Sequence, residues 1–423
     1  MSDRETIIDV ERDVNVHLEN KSISRAVFWF IWALYAIVSM TKNCYNSSLA
    51  RIVSDGVLTK SQTGLITAMF YLVYTPLQIV GGLFSDRFSP ERMIKIGLIG
   101  AALSNAAIFF CQNYYVMLGA WVFNGMIQFG IWPSVFKIVS SQLVRSDRSR
   151  MIFYLSFTSN AGFLVSYIIG AVVPDWRYNF AISAISLLVF AFALHFIEKR
   201  INPYMVWDKK ETDELSGVKS GEHSKLKVFA ASGFFFVCFS VMLAVTVSQA
   251  RSTLTSVMFV ENYESVSPSL GNVLTAVLLV SGMLGTIISR KFVANSKNEL
   301  LSMVFVIGAM LPLFAVCTLV GVLPIPVMVV MLALIACLES VSALLRSYYT
   351  AYFTKFGLNG SAAGIINAGT AFSYMLAAYV MPRFVETFGW HTFMVLLPVL
   401  LGVSILSLCI VVKHFGKFKR TCL

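Results

Sequence analysis

Long apolar stretches follow one another along this chain of 423 residues. A helix needs about 20 residues to cross a bilayer. Because lipid offers no hydrogen-bond partners, such stretches must satisfy their backbone groups internally, as helices do. We expect an all-α membrane protein with twelve transmembrane helices, over residues 26–50, 62–84, 93–111, 115–139, 151–173, 178–197, 228–258, 271–289, 301–322, 326–353, 361–380 and 390–412.

The distribution of charge argues against soluble classes of protein. Only 13% of the residues are charged, whereas a soluble domain has about 25%. The net charge of +11 could indicate nucleic acid, but the basic residues lie in short loops between apolar stretches, without aromatic interleaving or zinc-ligand spacing. The histidines do not cluster, and there is no Gly-Lys-Ser/Thr nucleotide loop. We therefore predict no nucleic-acid partner, enzyme activity, cofactor or metal site.

The basic residues also predict an orientation in the bilayer. With both termini cytoplasmic, 25 of the 33 Lys and Arg residues fall in cytoplasmic segments and four in outer loops. Positive charge is retained on the cytoplasmic side of membrane proteins. We expect a multi-pass protein of the plasma (inner) membrane with both termini in the cytoplasm.

A polar connection divides the chain into two halves. The segment Glu198–Lys227 is rich in Lys, Glu, Ser and Gly, which is typical of a flexible linker. The predicted organisation is a cytoplasmic tail (1–25), a six-helix bundle (26–197), the linker (198–227), a second six-helix bundle (228–412) and a cytoplasmic tail (413–423).

Basic residues inside the spans recur with a fixed offset. Lys42 and Arg251 are 209 residues apart, as are Lys137 and Arg346, and weaker matches occur at nearby offsets. This indicates duplicated halves, the parallel repeat of transporters whose site lies between the halves near the midplane.

These four bases face only one acid within the spans, Glu339. A charge at the bilayer centre costs at least roughly 2.5–3.5 kcal/mol unless it is paired or faces a wet cavity. Lys42 could snorkel outward or pair locally, and Lys137 and Arg346 could be gating or packing residues. As a group, however, their excess of positive charge would attract anions and repel cations.

One loop resembles the signature of a known family. The residues Gly82-Leu83-Phe84-Ser85-Asp86-Arg87, with Arg92 following, are similar to the loop after the second span of the major facilitator superfamily. The resemblance implies the major facilitator fold, with twelve helices in two pseudo-symmetric six-helix bundles. It also implies that Gly82, Asp86, Arg87 and Arg92 act in conformational change.

Within that superfamily the chain looks most like the organophosphate:phosphate antiporters and related organic-anion symporters. This resemblance is carried by Lys42-Asn43, Trp132-Pro133 followed by Lys137, Asn160-Ala161-Gly162, and Arg251. In those carriers two arginines, on spans 1 and 7, clasp the substrate anion. Arg251 matches the second, but Lys42 stands at the first position. Lysine offers phosphate a point charge in place of a planar fork, so a carboxylate substrate stays open.

The sequence thus predicts a monomeric secondary transporter of a small organic anion, a phosphate ester or a carboxylate. We expect a site between spans 1, 4, 7 and 10. The substrate-binding candidates are Lys42, Arg251, Lys137, Arg346, Asn160, Tyr71 and Tyr74.

The coupling partner is inorganic phosphate or a proton. Glu339 is the candidate coupling residue, and the alternative for it is a permanent ion pair with Arg346 or Lys137. Other functions left open are a proton-coupled carboxylate or sugar-acid symporter, and a non-transporting membrane sensor with a carrier fold.

Overall fold

The computed structural model describes residues 14–87, 89–155, 157–209, 225–296, 298–351, 353 and 359–422. This part of the chain is almost entirely helical, as predicted. Its α-helices are α1 (Lys21–Ser54), α2 (Lys60–Arg87), α3 (Pro90–Phe110), α4 (Tyr114–Ile127), α5 (Ile131–Lys137), α6 (Arg148–Leu155), α7 (Thr158–Val172), α8 (Trp176–Ile201), α9 (Lys225–Ala231), α10 (Phe234–Asn262), α11 (Pro268–Ala294), α12 (Glu299–Cys317), α13 (Ile325–Ala351) and α14 (Asn359–Cys422).

Eight helical stretches among the described residues are long and apolar enough to cross a membrane. They lie in α1, α3, α8 and α10 to α14. The predicted spans 11 and 12 both fall in α14, which is interrupted at Gly389 with φ 78° and ψ 172°. Glycine adopts this positive φ without the clash that a Cβ would cause, so it can separate two spans with a single residue.

The predicted span 4 is broken into shorter pieces. Helix α4 ends at Ile127, and α5 begins at Ile131, so that Pro133 falls in its first turn, where a missing N–H is tolerated. A π-helical turn, Ile138–Gln142, follows α5 directly. Such turns are rare and often occur beside functional residues, and this one comes directly after Lys137.

Two short strands add to the predicted all-α architecture. The strands β1 (Val14–Leu18) and β2 (Met205–Lys209) pair antiparallel, with Leu18 opposite Met205. Leu18 is buried and belongs to the same apolar cluster as Val139 and Leu143. Burial of Leu18 fixes the position of the segment before α1. The first residues of the predicted linker form the end of α8 and the strand β2.

The chain forms two compact units. Unit 1 comprises Met1–Tyr45, Pro76–Ser166 and Arg177–Val218, and unit 2 comprises Asn46–Thr75, Tyr167–Trp176 and Lys219–Leu423. The predicted topology places one end of each spanning helix outside the cell, and we call these the outer ends. There, parts of α1, α2 and α7 pack within unit 2.

Candidate functional site

A buried ion pair in unit 2 joins α10 and α13. The guanidinium of Arg251 donates to Glu339 twice, from Nη2 to Oε2 at 2.6 Å and from Nε to Oε1 at 3.1 Å. The hydroxyl of Ser248 donates to the same carboxylate at 3.0 Å. Both oxygens of Glu339 are therefore occupied, and the Arg251 fork holds a carboxylate in the two-bond geometry that suits this group.

The surroundings of the pair make it costly to break. The side chains of Arg251 and Glu339 are only 8% and 13% exposed. Removing one partner of a buried pair leaves the other charge without compensation, at a cost of about 3–5 kcal/mol. The pair is therefore stable as long as no other group takes the place of either partner.

The partner of Glu339 differs from the two candidates that the sequence offered. Arg346 lies on the same helix but seven residues further on, about 10 Å along the axis at 1.5 Å per residue. The carboxylate reaches sideways to Arg251 on the neighbouring helix instead. The sequence identified both residues as functional candidates but not their direct contact.

Aromatic rings of unit 2 surround the two predicted tyrosine ligands. Tyr71 and Tyr74 on α2 are half-buried, and each packs against Phe70, with ring centroids 5.3 and 5.4 Å apart. The ring of Tyr374 on α14 lies 5.4 Å from that of Tyr71. The cluster supplies phenol hydroxyls and ring faces.

Lys42 lies in unit 1 beside another aromatic ring. Its ammonium is 5.8 Å from the centroid of the Tyr35 ring, within the range of a cation–π interaction. Tyr35 in turn packs on Trp132 of α5, with centroids 4.7 Å apart. Trp132 lies in the first turn of α5, directly before Pro133.

The remaining predicted ligands of unit 1 occupy different helices. Lys137 is the last residue of α5, and Asn160 is half-buried in α7. Two residues after Asn160, Gly162 packs directly on α1: a Cβ there would lie 2.2 Å from the carbonyl oxygen of Ala36. The Asn-Ala-Gly motif therefore marks a close helix crossing within unit 1.

The predicted conformational loop is described only in part. Gly82, Asp86 and Arg87 belong to the last turns of α2, and their side chains lie outside the described residues. Arg92 is exposed in the first turn of α3, where its N–H bonds to the hydroxyl of Ser89 at 3.4 Å. This motif thus contains a helix end followed by an N-cap.

Ser248 and Tyr374 were not among the sequence candidates. Ser248 lies three residues before Arg251 on α10. This spacing places both residues on one helix face, so the sequence alone could have indicated Ser248 as a neighbour of Arg251. Tyr374 lies far from Tyr71 in the sequence, so no local spacing connects them. Within the described part of the chain, no group of three His, Cys, Asp or Glu side chains could hold a metal ion.

Comparison with known proteins identifies relatives. The sequence profile of the Major Facilitator Superfamily matches residues 31–335. The chain is 27% identical over 150 residues to the membrane sensor protein UhpC of Escherichia coli (strain K12), covering 36% of this chain and 33% of UhpC. It is 23% identical over 171 residues to a probable hexose phosphate transport protein of Chlamydia trachomatis, covering 40% and 38% respectively. The matches thus span 33% and 38% of the length of these curated relatives.

The fold has solved counterparts. A bacterial homologue of the human lysosomal transporter Spinster, crystallised in an inward-facing and unoccupied conformation, is similar with a TM-score of 0.68 and 15% sequence identity. The similarity covers 95% of this chain and 98% of that one. At this identity the likeness concerns the fold alone.

Proposed function

This chain belongs to the Major Facilitator Superfamily, and we propose that it carries a small organic anion, a phosphate ester or a carboxylate, by alternating access. The observation that supports this substrate class is the Arg251 fork, which is buried and already holds a carboxylate at 2.6 and 3.1 Å. The matched hexose phosphate transport protein of Chlamydia trachomatis supports a phosphate ester as one candidate.

Substrate binding at the Nε/Nη2 edge of Arg251 requires the carboxylate of Glu339 to leave. Glu339 occupies both donors of this edge and in turn accepts from the hydroxyl of Ser248. A substrate carboxylate or phosphate that enters takes over the charge-assisted bonds. Glu339 is then a buried carboxylate without its cation, which is costly unless another group compensates its charge.

This competition favours proton coupling as the finer mechanism. A proton taken up by Glu339 removes the charge that competes for Arg251, and so the proton and the anion would move together. Exchange for inorganic phosphate is the other candidate mechanism. In an exchanger, each entering anion displaces the anion bound before it, and Glu339 bonds to Arg251 only when the site is empty. Lys42, Lys137, Arg346, Asn160, Tyr71 and Tyr74 remain proposed substrate ligands.

Uptake by Arg251 variants tests this assignment. In vesicles, Arg251→Ala should abolish uptake of the substrate anion, and Arg251→Lys should weaken binding because the charge remains but the fork is lost. A matched control is Arg383→Gln, which removes a cation that contacts the Tyr379 ring on α14. Undiminished uptake by a folded Arg251→Ala variant would remove Arg251 from the site.

A sensor is the second candidate function, because the membrane sensor protein UhpC matches the chain at 27% identity. A sensor would bind the anion without moving it. A thermal-shift screen against phosphate esters, sugar acids and other carboxylates detects binding, since an excess ligand stabilises the folded protein by RT ln(1 + [L]/Kd). An anion that stabilises the protein but is not taken up by vesicles would favour the sensor.

A further inference from the structure

A polar cluster in unit 2 joins the outer ends of three helices. It consists of Lys60 and Ser61 at the start of α2, Glu261 at the end of α10, and Glu386 and Trp390 on either side of Gly389 in α14. We call these five residues the outer cluster. In the sequence, α2 belongs to the first half, whereas α10 and α14 belong to the second.

Glu261 is the centre of the cluster. Its carboxylate accepts from the ammonium of Lys60 at 2.7 and 3.0 Å, and from the indole Nε1 of Trp390 at 2.8 Å. The Lys60 ammonium also lies 5.8 Å from the centroid of the Trp390 ring. Each of the three side chains thus contacts the other two. The side chains of Lys60 and Glu261 are 18% and 29% exposed, so water screens their attraction less than at an open surface.

The carboxylate of Glu386 binds Ser61, the residue after Lys60. Glu386 accepts from the backbone N–H of Ser61 at 2.9 Å and from its hydroxyl. Ser61 lies in the first turn of α2, where N–H groups lack helical partners and the helix dipole favours negative charge. Two carboxylates from the second half therefore bind the first turn of α2.

Beneath the outer cluster α2 and α14 pack closely at a glycine. A Cβ on Gly64 would lie 2.5 Å from the carbonyl oxygen of Ala378 and 2.8 Å from Cγ of Pro382. Thr67, one turn further along α2, is 4% exposed and lines a small void at this contact. With this packing, Thr67 is buried beneath the outer cluster.

We propose that the outer cluster is a latch that holds the outer ends of α2, α10 and α14 together in the closed state of the carrier. Opening on this side must break the Lys60–Glu261 and Ser61–Glu386 contacts and expose the face of α2 that carries Thr67. None of the five residues is a proposed ligand of the anion. The latch therefore sets the populations of the closed and open states without contacting the substrate.

Accessibility of Thr67 tests the latch independently of transport. In a chain whose own cysteines are replaced, Thr67→Cys is labelled with a membrane-impermeant maleimide added to intact cells. Asp55→Cys, in the exposed turn after α1, serves as the reference for a residue that is always accessible. We expect slow labelling of Thr67→Cys and an increase of about fivefold on adding Lys60→Gln, since a partly exposed ion pair contributes up to about 1 kcal/mol.

A charge exchange separates the latch from a general effect of charge. The double variant Lys60→Glu with Glu261→Lys keeps the ion pair and should return labelling towards the parent rate. Arg383→Gln removes another outer cation and should leave the rate unchanged. The proposal is overturned if Thr67→Cys labels as fast as Asp55→Cys in the parent. Unchanged labelling with Lys60→Gln, or an equal increase with Arg383→Gln, would overturn it as well.

Discussion

Replacing Glu339 by glutamine should leave the Arg251 guanidinium buried without its counter-charge. The pair has two direct bonds, at 2.6 and 3.1 Å, and side chains that are 8% and 13% exposed. Loss of one partner of such a pair costs about 3–5 kcal/mol. We therefore expect Glu339→Gln to lower the unfolding temperature of the purified protein clearly in the absence of anions.

An anion that binds Arg251 should reverse much of this loss. At a hundredfold excess over Kd, a ligand stabilises the folded state by about 2.7 kcal/mol. In the parent protein the same anion must first displace Glu339, so it should bind more weakly there than in Glu339→Gln. The stabilisation by a given anion concentration should therefore be larger in the variant than in the parent.

The assay is thermal unfolding of the purified protein over a series of anion concentrations. Glu299→Gln is a suitable control, because Glu299 is also a buried carboxylate of unit 2, 3% exposed in the first turn of α12. It should gain no anion affinity. Equal stabilisation of the parent and of Glu339→Gln by every anion would refute the competition between Glu339 and substrate.

The same variant separates the two coupling mechanisms. Glutamine keeps the shape of Glu339 but cannot ionise. If protons are coupled through this residue, Glu339→Gln should lose accumulation driven by a pH gradient and still exchange substrate down its own gradient. Accumulation that still responds to an imposed pH gradient would contradict proton coupling and favour exchange for phosphate.

Three further predictions follow from single features. Lys42→Arg should keep or improve the affinity for a phosphate ester, because it supplies a fork, and lower that for a monocarboxylate, as measured by competition for uptake; an equal effect on all anions would make Lys42 structural. Protease added to right-side-out membranes should leave the linker Glu198–Lys227 intact, whereas cleavage would reverse the predicted topology. Gly162→Ala should destabilise the protein by about 1–3 kcal/mol in thermal unfolding, because its Cβ would lie 2.2 Å from the carbonyl oxygen of Ala36; unchanged stability would contradict this packing.

Local spacing identified several features of the site and missed others. The depth of Arg251 and Glu339 in apolar stretches marked both as functional candidates, because an isolated charge in lipid is unfavourable wherever it occurs. Helical periodicity also predicts that Ser248 and Arg251 lie on the same face of α10. The contact of Tyr71 with Tyr374 has no such signal, since it depends on the packing of α2 against α14.

The sequence by itself determined that this protein lies in a membrane, that its spans are helical and that cations predominate inside them. These properties depend on the length and composition of each stretch, because lipid forces every span to satisfy its own backbone. Only the tertiary structure decided which groups meet. Glu339 bonds to Arg251 on another helix, 88 residues away, and not to Arg346 on its own helix. Likewise, β1 pairs with a strand that lies after α8. Such contacts depend on how neighbouring helices and strands are set side by side, which no spacing along one helix specifies.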